Sequence, residues 1–189
     1  MSTRTDDTRD RLVAAAAKAF NRAGYHGTDS NRIARAAGYA PATFYKHFAD
    51  KRAIFLAAYE RWVASEWGAV EDVVARGGSP ANLAARIVEL VLEHHRRWRG
   101  LRTSLLVLVA SDAAVRRFYR AERRRQLRML ADLRARLGVK RRPPAEDAVL
   151  LFTLERTCDA IANGEPKDLG VAVGPLLEVV RARVRAQLE

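Results

Sequence analysis

Helical spacing of apolar residues constrains this chain more than any other feature. Such residues return every three or four positions through almost all of its 189 residues, and no stretch of useful length alternates with period two between turn signals. The chain therefore reads as all-α. Glycine and proline cut the pattern into pieces. A first helix is predicted from about Asp7 to Ala23, with Leu12, Ala16, Ala19, Phe20 and Ala23 as its stripe and Gly24 as its stop. A second covers Ser30 to Ala37, with Asp29 as N-cap and Gly38 as terminator. A third runs from Pro41 to Phe48, because proline suits the first helical position, and Asp50 caps a long fourth helix reaching about Arg76.

After "GGSP" the pattern restarts, with Leu83, Ile87, Leu90, His94 and Trp98 on one face of a fifth helix. A short sixth, near Leu101 to Ala110, is apolar nearly all round and is expected in the middle of its domain. The seventh, about Ala113 to Leu137, has Val115, Phe118, Tyr119, Glu122, Gln126, Met129, Leu133 and Leu137 along its stripe. Two further helices, roughly Ala145 to Ala162 and Val171 to Leu188, are separated by "NGEPKDLG".

The stretch "NRIARAAGYAPATFYKHFADK", Asn31 to Lys51, carries the chemistry. On its first helix Ile33, Ala34 and Ala37 share one side, and Asn31, Arg32 and Arg35 point away from it. On its second, Phe44 and Phe48 are four residues apart and turn inward, leaving Ala42, Thr43 and Lys46 outward with Tyr45 and His47 on the flanks. Two helices of about eight residues joined by a short turn containing Gly fit a helix-turn-helix, whose second member enters the major groove by its N-terminal end. Pro41 and Ala42 are small enough for close approach and for contact with a thymine methyl. Thr43 can hydrogen-bond a base edge or a phosphate, and Tyr45, Lys46 and His47 offer donors to the DNA backbone. Lys51, at the start of the fourth helix, sits where exposed amides and the helix dipole favour a phosphate. A buried helical pair with a merely solvated basic face is the competing reading.

Charge leans the same way. The formal net charge of +12 favours a polyanionic partner, since Lys and Arg release counterions when they neutralise phosphates. Part of that basicity is compositional, because 29 of the 34 basic residues are Arg and Ala is abundant throughout. Between Arg116 and Arg142 twelve basic residues face only Glu122 and Asp132. They form either a second polyanion surface or a solvated helix face.

The segment Ala19 to Tyr59 also resembles the DNA-binding region of the TetR (tetracycline-repressor-like) transcriptional regulators. The likeness rests on "GYHGT" before the motif, "IARAAG" in its first helix and "TFYKHFADK" from the recognition helix into the fourth. It implies a DNA-binding region over residues 8–68 and a helical effector-binding and dimerisation domain over 69–189, joined through the long fourth helix. It further implies a homodimer on a near-palindromic operator, most often a repressor released by a small effector, with no cofactor. On the matching positions it implies DNA contacts from Thr28, Arg32, Pro41, Ala42, Thr43, Tyr45, Lys46, His47 and Lys51. Two residues depart from the family's habit: Ala40 stands where Ser or Thr is frequent, and Ala42 where Gly is frequent. The first removes a helix-capping hydrogen bond worth about 1 kcal/mol.

In such regulators the last two long helices pair between subunits. Leu151, Leu154, Cys158 and Ile161 make one apolar seam, and Leu176, Leu177, Val180 and Val184 another, so four helices could meet across a two-fold axis. An intramolecular core accounts for the same seams. Candidate effector contacts are Trp62, His94, Trp98, Tyr119, Glu122 and Gln126, since a pocket is mostly apolar with a few placed polar groups. Against them stands the common case of a core histidine with satisfied partners, and of a carboxylate such as Glu122 paired with Arg102 or Arg156.

Catalysis lacks an assembled site. His94 and His95 are about 100° apart on a helix, unlike the i, i+4 spacing that lets two histidines share zinc. The single Cys158 has no assigned base and makes no internal disulfide, and no Gly-rich phosphate loop is present. The longest apolar run, "LLVLVA" at Leu105 to Ala110, is far below the roughly 20 residues that cross a bilayer. A cytoplasmic protein is expected. A non-specific architectural DNA binder and a helical small-molecule module without DNA function are the alternatives.

Overall fold

The computed structural model describes residues 2–189, the side chains of residues 2–5 excepted. Every regular element among the described residues is a helix: α1 (Ser2–Ala23), α2 (Ser30–Ala36), α3 (Pro41–His47), α4 (Lys51–Ala75), α5 (Pro80–Arg97), α6 (Arg99–Ser111), α7 (Ala113–Arg136), α8 (Pro144–Asn163), α9 (Glu165–Asp168) and α10 (Val173–Arg185). The all-α expectation holds. Helix α1 begins earlier than its apolar stripe, and α9 lies inside what reads as a loop. It starts where Gly164, at φ 82°, ends α8 in the left-handed region.

The chain forms two compact units, one running through Ala64 and including Gly100–Tyr119, the other made of Ser65–Arg99 and Arg120–Glu189. The units interleave along the sequence because α6 packs with the N-terminal helices, as the Gly100 and Asn21 contact shows.

In the first unit Leu12, Ala16, Phe20, Ile33, Phe44, Ile54, Phe55, Val63, Leu101 and Leu105 are buried. Phe55 meets Phe20 edge-on at 5.0 Å and Tyr25 at 5.3 Å, an arrangement that adds to simple area burial. Ala23, at the end of the predicted α1 stripe, is exposed. The N-terminal end of α6 crosses α1 at Gly100, where a Cβ would stand 1.9 Å from the Asn21 carbonyl oxygen. That closeness lets the Asn21 side-chain oxygen accept from the Gly100 and Leu101 amides at 2.9 and 3.2 Å, capping α6. Helix α6 is not enclosed on all sides as its composition implied. Leu106 and Val107 are 44% and 53% exposed, because Leu101, Leu105 and Leu108 take up the single face that the unit buries.

In the second unit α5, α8 and α10 pack together around Leu83, Ile87, Val88, Val91, Leu92, Leu150, Cys158, Ile161, Val180 and Val184. The sequence-based seams contribute to this core. Leu151, Cys158, Ile161, Val180 and Val184 are buried within the chain, and Leu154, Leu176 and Leu177 are partly buried against the same cluster. Leu151, Cys158, Ile161, Val180 and Val184 face the unit's own interior, and Leu154, Leu176 and Leu177 keep part of their surface exposed. A stripe's period identifies a buried face but not what covers it, and the more apolar stripe has gone to the core. The buried face of α5 is also turned by one residue, with His95 enclosed and His94 half-buried.

Candidate nucleic-acid interface

The geometry of α2 and α3 follows from their ends. The Asp29 side chain accepts from the Arg32 amide at 2.8 Å, which fixes the start of α2. This hydrogen bond is the main reason the Asp29 carboxyl is held below its ordinary pKa. At the other end Gly38, at φ 83°, lets the Tyr39 amide turn back to the Ala34 carbonyl at 2.9 Å. Helix α3 opens on Pro41 without a side-chain cap at Ala40, as the sequence implies.

Phe44 and Phe48 anchor α3, being 0% and 6% exposed. Ala42, Tyr45 and Lys46 are exposed, and Pro41, Thr43 and His47 are half-buried beside them. Tyr45 is 57% exposed, unusual for a large aromatic residue on a packed helix. On α2 the polar edge of Asn31, Arg32 and Arg35 is exposed, with Ile33, Ala34 and Ala37 inside. Two arginines of α1 support the turn: Arg11 donates to the Ala37 carbonyl at 3.2 Å and lies over the Tyr39 ring, while Arg9 lies over Phe48. A short helix is thus held from beneath by aromatic residues and presents a polar, donor-rich face.

Three of the nine candidate residues have structural partners that the sequence did not announce. Lys51 donates to the carbonyls of Tyr25 at 2.9 Å and Thr28 at 3.1 Å, and its ammonium sits 4.3 Å from the Tyr25 ring centroid. It clasps the loop between α1 and α2 onto the start of α4. Thr28 is buried. Arg32 is exposed and shares a surface ion pair with Asp29 at 3.4 Å, an interaction of small worth in water. Asp50 caps α4 through the Ala53 amide at 2.7 Å.

The six candidate effector residues are drawn from both units. Trp62 and Tyr119 belong to the first unit, and His94, Trp98, Glu122 and Gln126 to the second. Glu122 pairs with Arg125 at 3.4 Å, Gln126 accepts from Arg123 at 3.1 Å, and Arg156 engages Glu165. The second unit instead holds an apolar cavity of about 70 Å³. Trp67, Val70, Ile87, Val91, Leu133, Leu154 and Val184 line it, with Glu66, Arg134 and Glu155 among its polar groups. None of the six candidates is in that lining, and a cavity assembled from α4, α5, α7, α8 and α10 leaves no signature in any one helix. The adjoining buried histidine is His95, whose Nδ1 is 2.8 Å from Asp159 and whose Nε2 is 3.6 Å from Glu66. Burial pushes the Cys158 thiol up to about 12, so it is protonated and poorly nucleophilic near neutral pH. No group of acids, histidines and cysteine among the described residues could hold a metal ion, and no helix among them is long and apolar enough to cross a membrane.

Residues 12–58, which run from within α1 through α2 and α3 into α4, match the family model described as bacterial regulatory proteins, tetR family. The HTH-type transcriptional activator FasR of Mycolicibacterium smegmatis is 36% identical over 58 residues, 31% of this chain and 26% of FasR. The chain thus spans about a quarter of that relative's length. Whole-chain likeness is found among solved structures. A Mesorhizobium loti protein assigned to the TetR-family transcriptional regulators superposes with a TM-score of 0.76 at 20% identity, over 99% of this chain and 98% of that one. The fatty acid degradation regulator FadR from Bacillus halodurans gives 0.70 at 18%, over 96% of each. At such identities the likeness is one of fold. Residues 12–58 thus carry the DNA-binding region described for bacterial regulatory proteins of the tetR family, and the rest of the chain shares the fold of such regulators.

Proposed function

We propose that the protein is a ligand-responsive transcriptional regulator that binds a near-palindromic operator as a homodimer and is released by a small effector, acting as a repressor in the cytoplasm. The observation that carries this reading is the outward face of α3. Ala42, Tyr45 and Lys46 are exposed above the buried Phe44 and Phe48, which is what a helix entering a major groove requires. Thr43 would read a base edge, and Tyr45, Lys46, His47 and Arg32 would hold the phosphates. The principal task of Lys51 is to fix the loop that carries Thr28. The apolar cavity among α4, α5, α7, α8 and α10 suits an effector that is mainly apolar.

The dimer would use the faces of α8 and α10 that the core leaves uncovered, where Val149, Phe152 and Val179 are 48%, 57% and 67% exposed. Large apolar residues at that exposure on neighbouring helices suit a symmetric interface. Phe152→Glu should give folded monomers by sedimentation with weakened operator binding; intact dimers would move the interface elsewhere. Changing Leu154 or Val180 instead would damage the core.

Selection of bound fragments from the organism's own DNA tests the whole reading. A regulator prefers its selected site over unrelated duplex by roughly a thousandfold or more at matched salt. Uniform affinity would favour an architectural binder, and no duplex affinity even near 50 mM salt would favour a ligand-binding module alone. Repeating the selection with candidate effectors identifies the one that lowers DNA affinity. The position of the recovered site relative to a promoter then separates repression from activation.

A further inference from the structure

The arginine-rich run from α7 to the start of α8 includes two kinds of residue. Arg123 pairs with Glu155, Arg134 with Asp147, Arg136 with Glu71 and Arg142 with Glu146. Arg120, Arg124 and Arg128 recur every four residues, which puts them on one side of the helix, and all three are exposed. Like charges at that spacing repel and weaken a helix.

The row leads into a groove of about 500 Å³ between the C-terminal half of α7 and the segment that enters α8. Arg128, Arg134, Arg141 and Arg142 line it against two acids, Asp132 and Asp147. Asp147 is engaged by Arg134, which also donates to the Gln187 side chain at 2.6 Å. Arg142 is tied to Glu146 and donates to the Ala186 carbonyl at 3.0 Å. Those bonds fix the floor and one wall, while Arg128 and Arg141 stand exposed at the rim. Leu127, Val139 and Pro144 make the rest an apolar wall.

We infer that this groove binds a small organic phosphate, its phosphate groups held by the guanidiniums of Arg128 and Arg141 and its less polar part laid on Leu127, Val139 and Pro144. Guanidinium forks match phosphate oxygens and pair with them in two parallel hydrogen bonds. The volume is that of a small-molecule site. The site shares no residue with the face of α3 and does not depend on the DNA-binding reading.

Calorimetry on the intact protein at low salt, with ADP, pyrophosphate and adenosine as probes, tests it. ADP and pyrophosphate should bind saturably, ADP the tighter because it also covers the apolar wall, and adenosine weakly. In Arg128→Ala/Arg141→Ala the affinity for both phosphates should fall by about tenfold or more, the loss expected for charge-assisted hydrogen bonds. Both side chains are exposed, so the melting temperature should hardly change. Arg76→Ala, an equal loss of charge at another exposed site of the same unit, should leave binding unaltered. Absence of saturable binding, an equal loss in Arg76→Ala, or a loss caused by Lys46→Ala would each overturn the assignment. The last of these would place the anion on the α3 face.

Discussion

The unit that carries α2 and α3 fills its interior mainly with Phe20, Ile33, Phe44, Phe55 and Val63 and encloses the charge of Arg102, which donates to the Tyr59 hydroxyl at 2.9 Å, whereas the unit built on α5, α8 and α10 encloses Glu66, His95, Gln126, Arg134, Asp147, Glu155 and Asp159 as well as its leucines and valines. Apolar burial stabilises in proportion to area and tolerates no empty space. Buried ion pairs contribute little net stability, because desolvation offsets most of their attraction, yet losing one partner leaves a charge stranded. The first unit is therefore built for a fixed shape, as a helix that must present one face to a rigid groove requires. The second holds an apolar cavity beside buried charged groups.

Substitutions in the two interiors should behave differently. Phe44→Ala, beneath the exposed face of α3, should cost about 3–5 kcal/mol in urea unfolding, and no second substitution at a neighbouring polar site should recover it. Arg134→Met should cost a comparable 3–5 kcal/mol by stranding Asp147. Adding Asp147→Leu should bring most of that back, since a well-packed apolar pair replaces a buried ion pair at little or no loss. Failure of the double variant to recover would show that the second interior depends on its charges as the first depends on its rings.

A smaller effect separates caps from cores. The Asp29 carboxyl, held low by the Arg32 amide, stabilises the fold above its unfolded-state value near pH 4. That contribution is lost as pH falls through the still lower folded value. Asp29→Ala should therefore melt below the parent at pH 7, with the gap closing towards pH 2. A gap that does not depend on pH would assign the effect to helix propensity instead.

Sequence made the helix-turn-helix legible because its signals are local. Asp29, Gly38, Pro41 and the Phe44/Phe48 spacing each act within four residues, and all four sit in the structure as those signals require. The remainder depends on distant partners. Lys51 lies where a phosphate contact is the natural inference, but the Tyr25 and Thr28 carbonyls, 26 and 23 residues away, take its ammonium protons. On α5 both His94 and His95 lie near an apolar stripe, and the acids on α4 and α8 decide which is enclosed. The stripes of α8 and α10 were visible as apolar faces. Only their packing against α5 shows that they close one chain's core.

The central claim is that the outward face of α3 meets DNA, and a salt titration of duplex binding by the parent protein and Lys46→Ala tests it most directly. The claim predicts weaker binding to every sequence and a slope of log affinity against log salt reduced by about one in the variant. An unchanged slope and unchanged affinity would mean that the exposed donors of α3 do not touch the duplex.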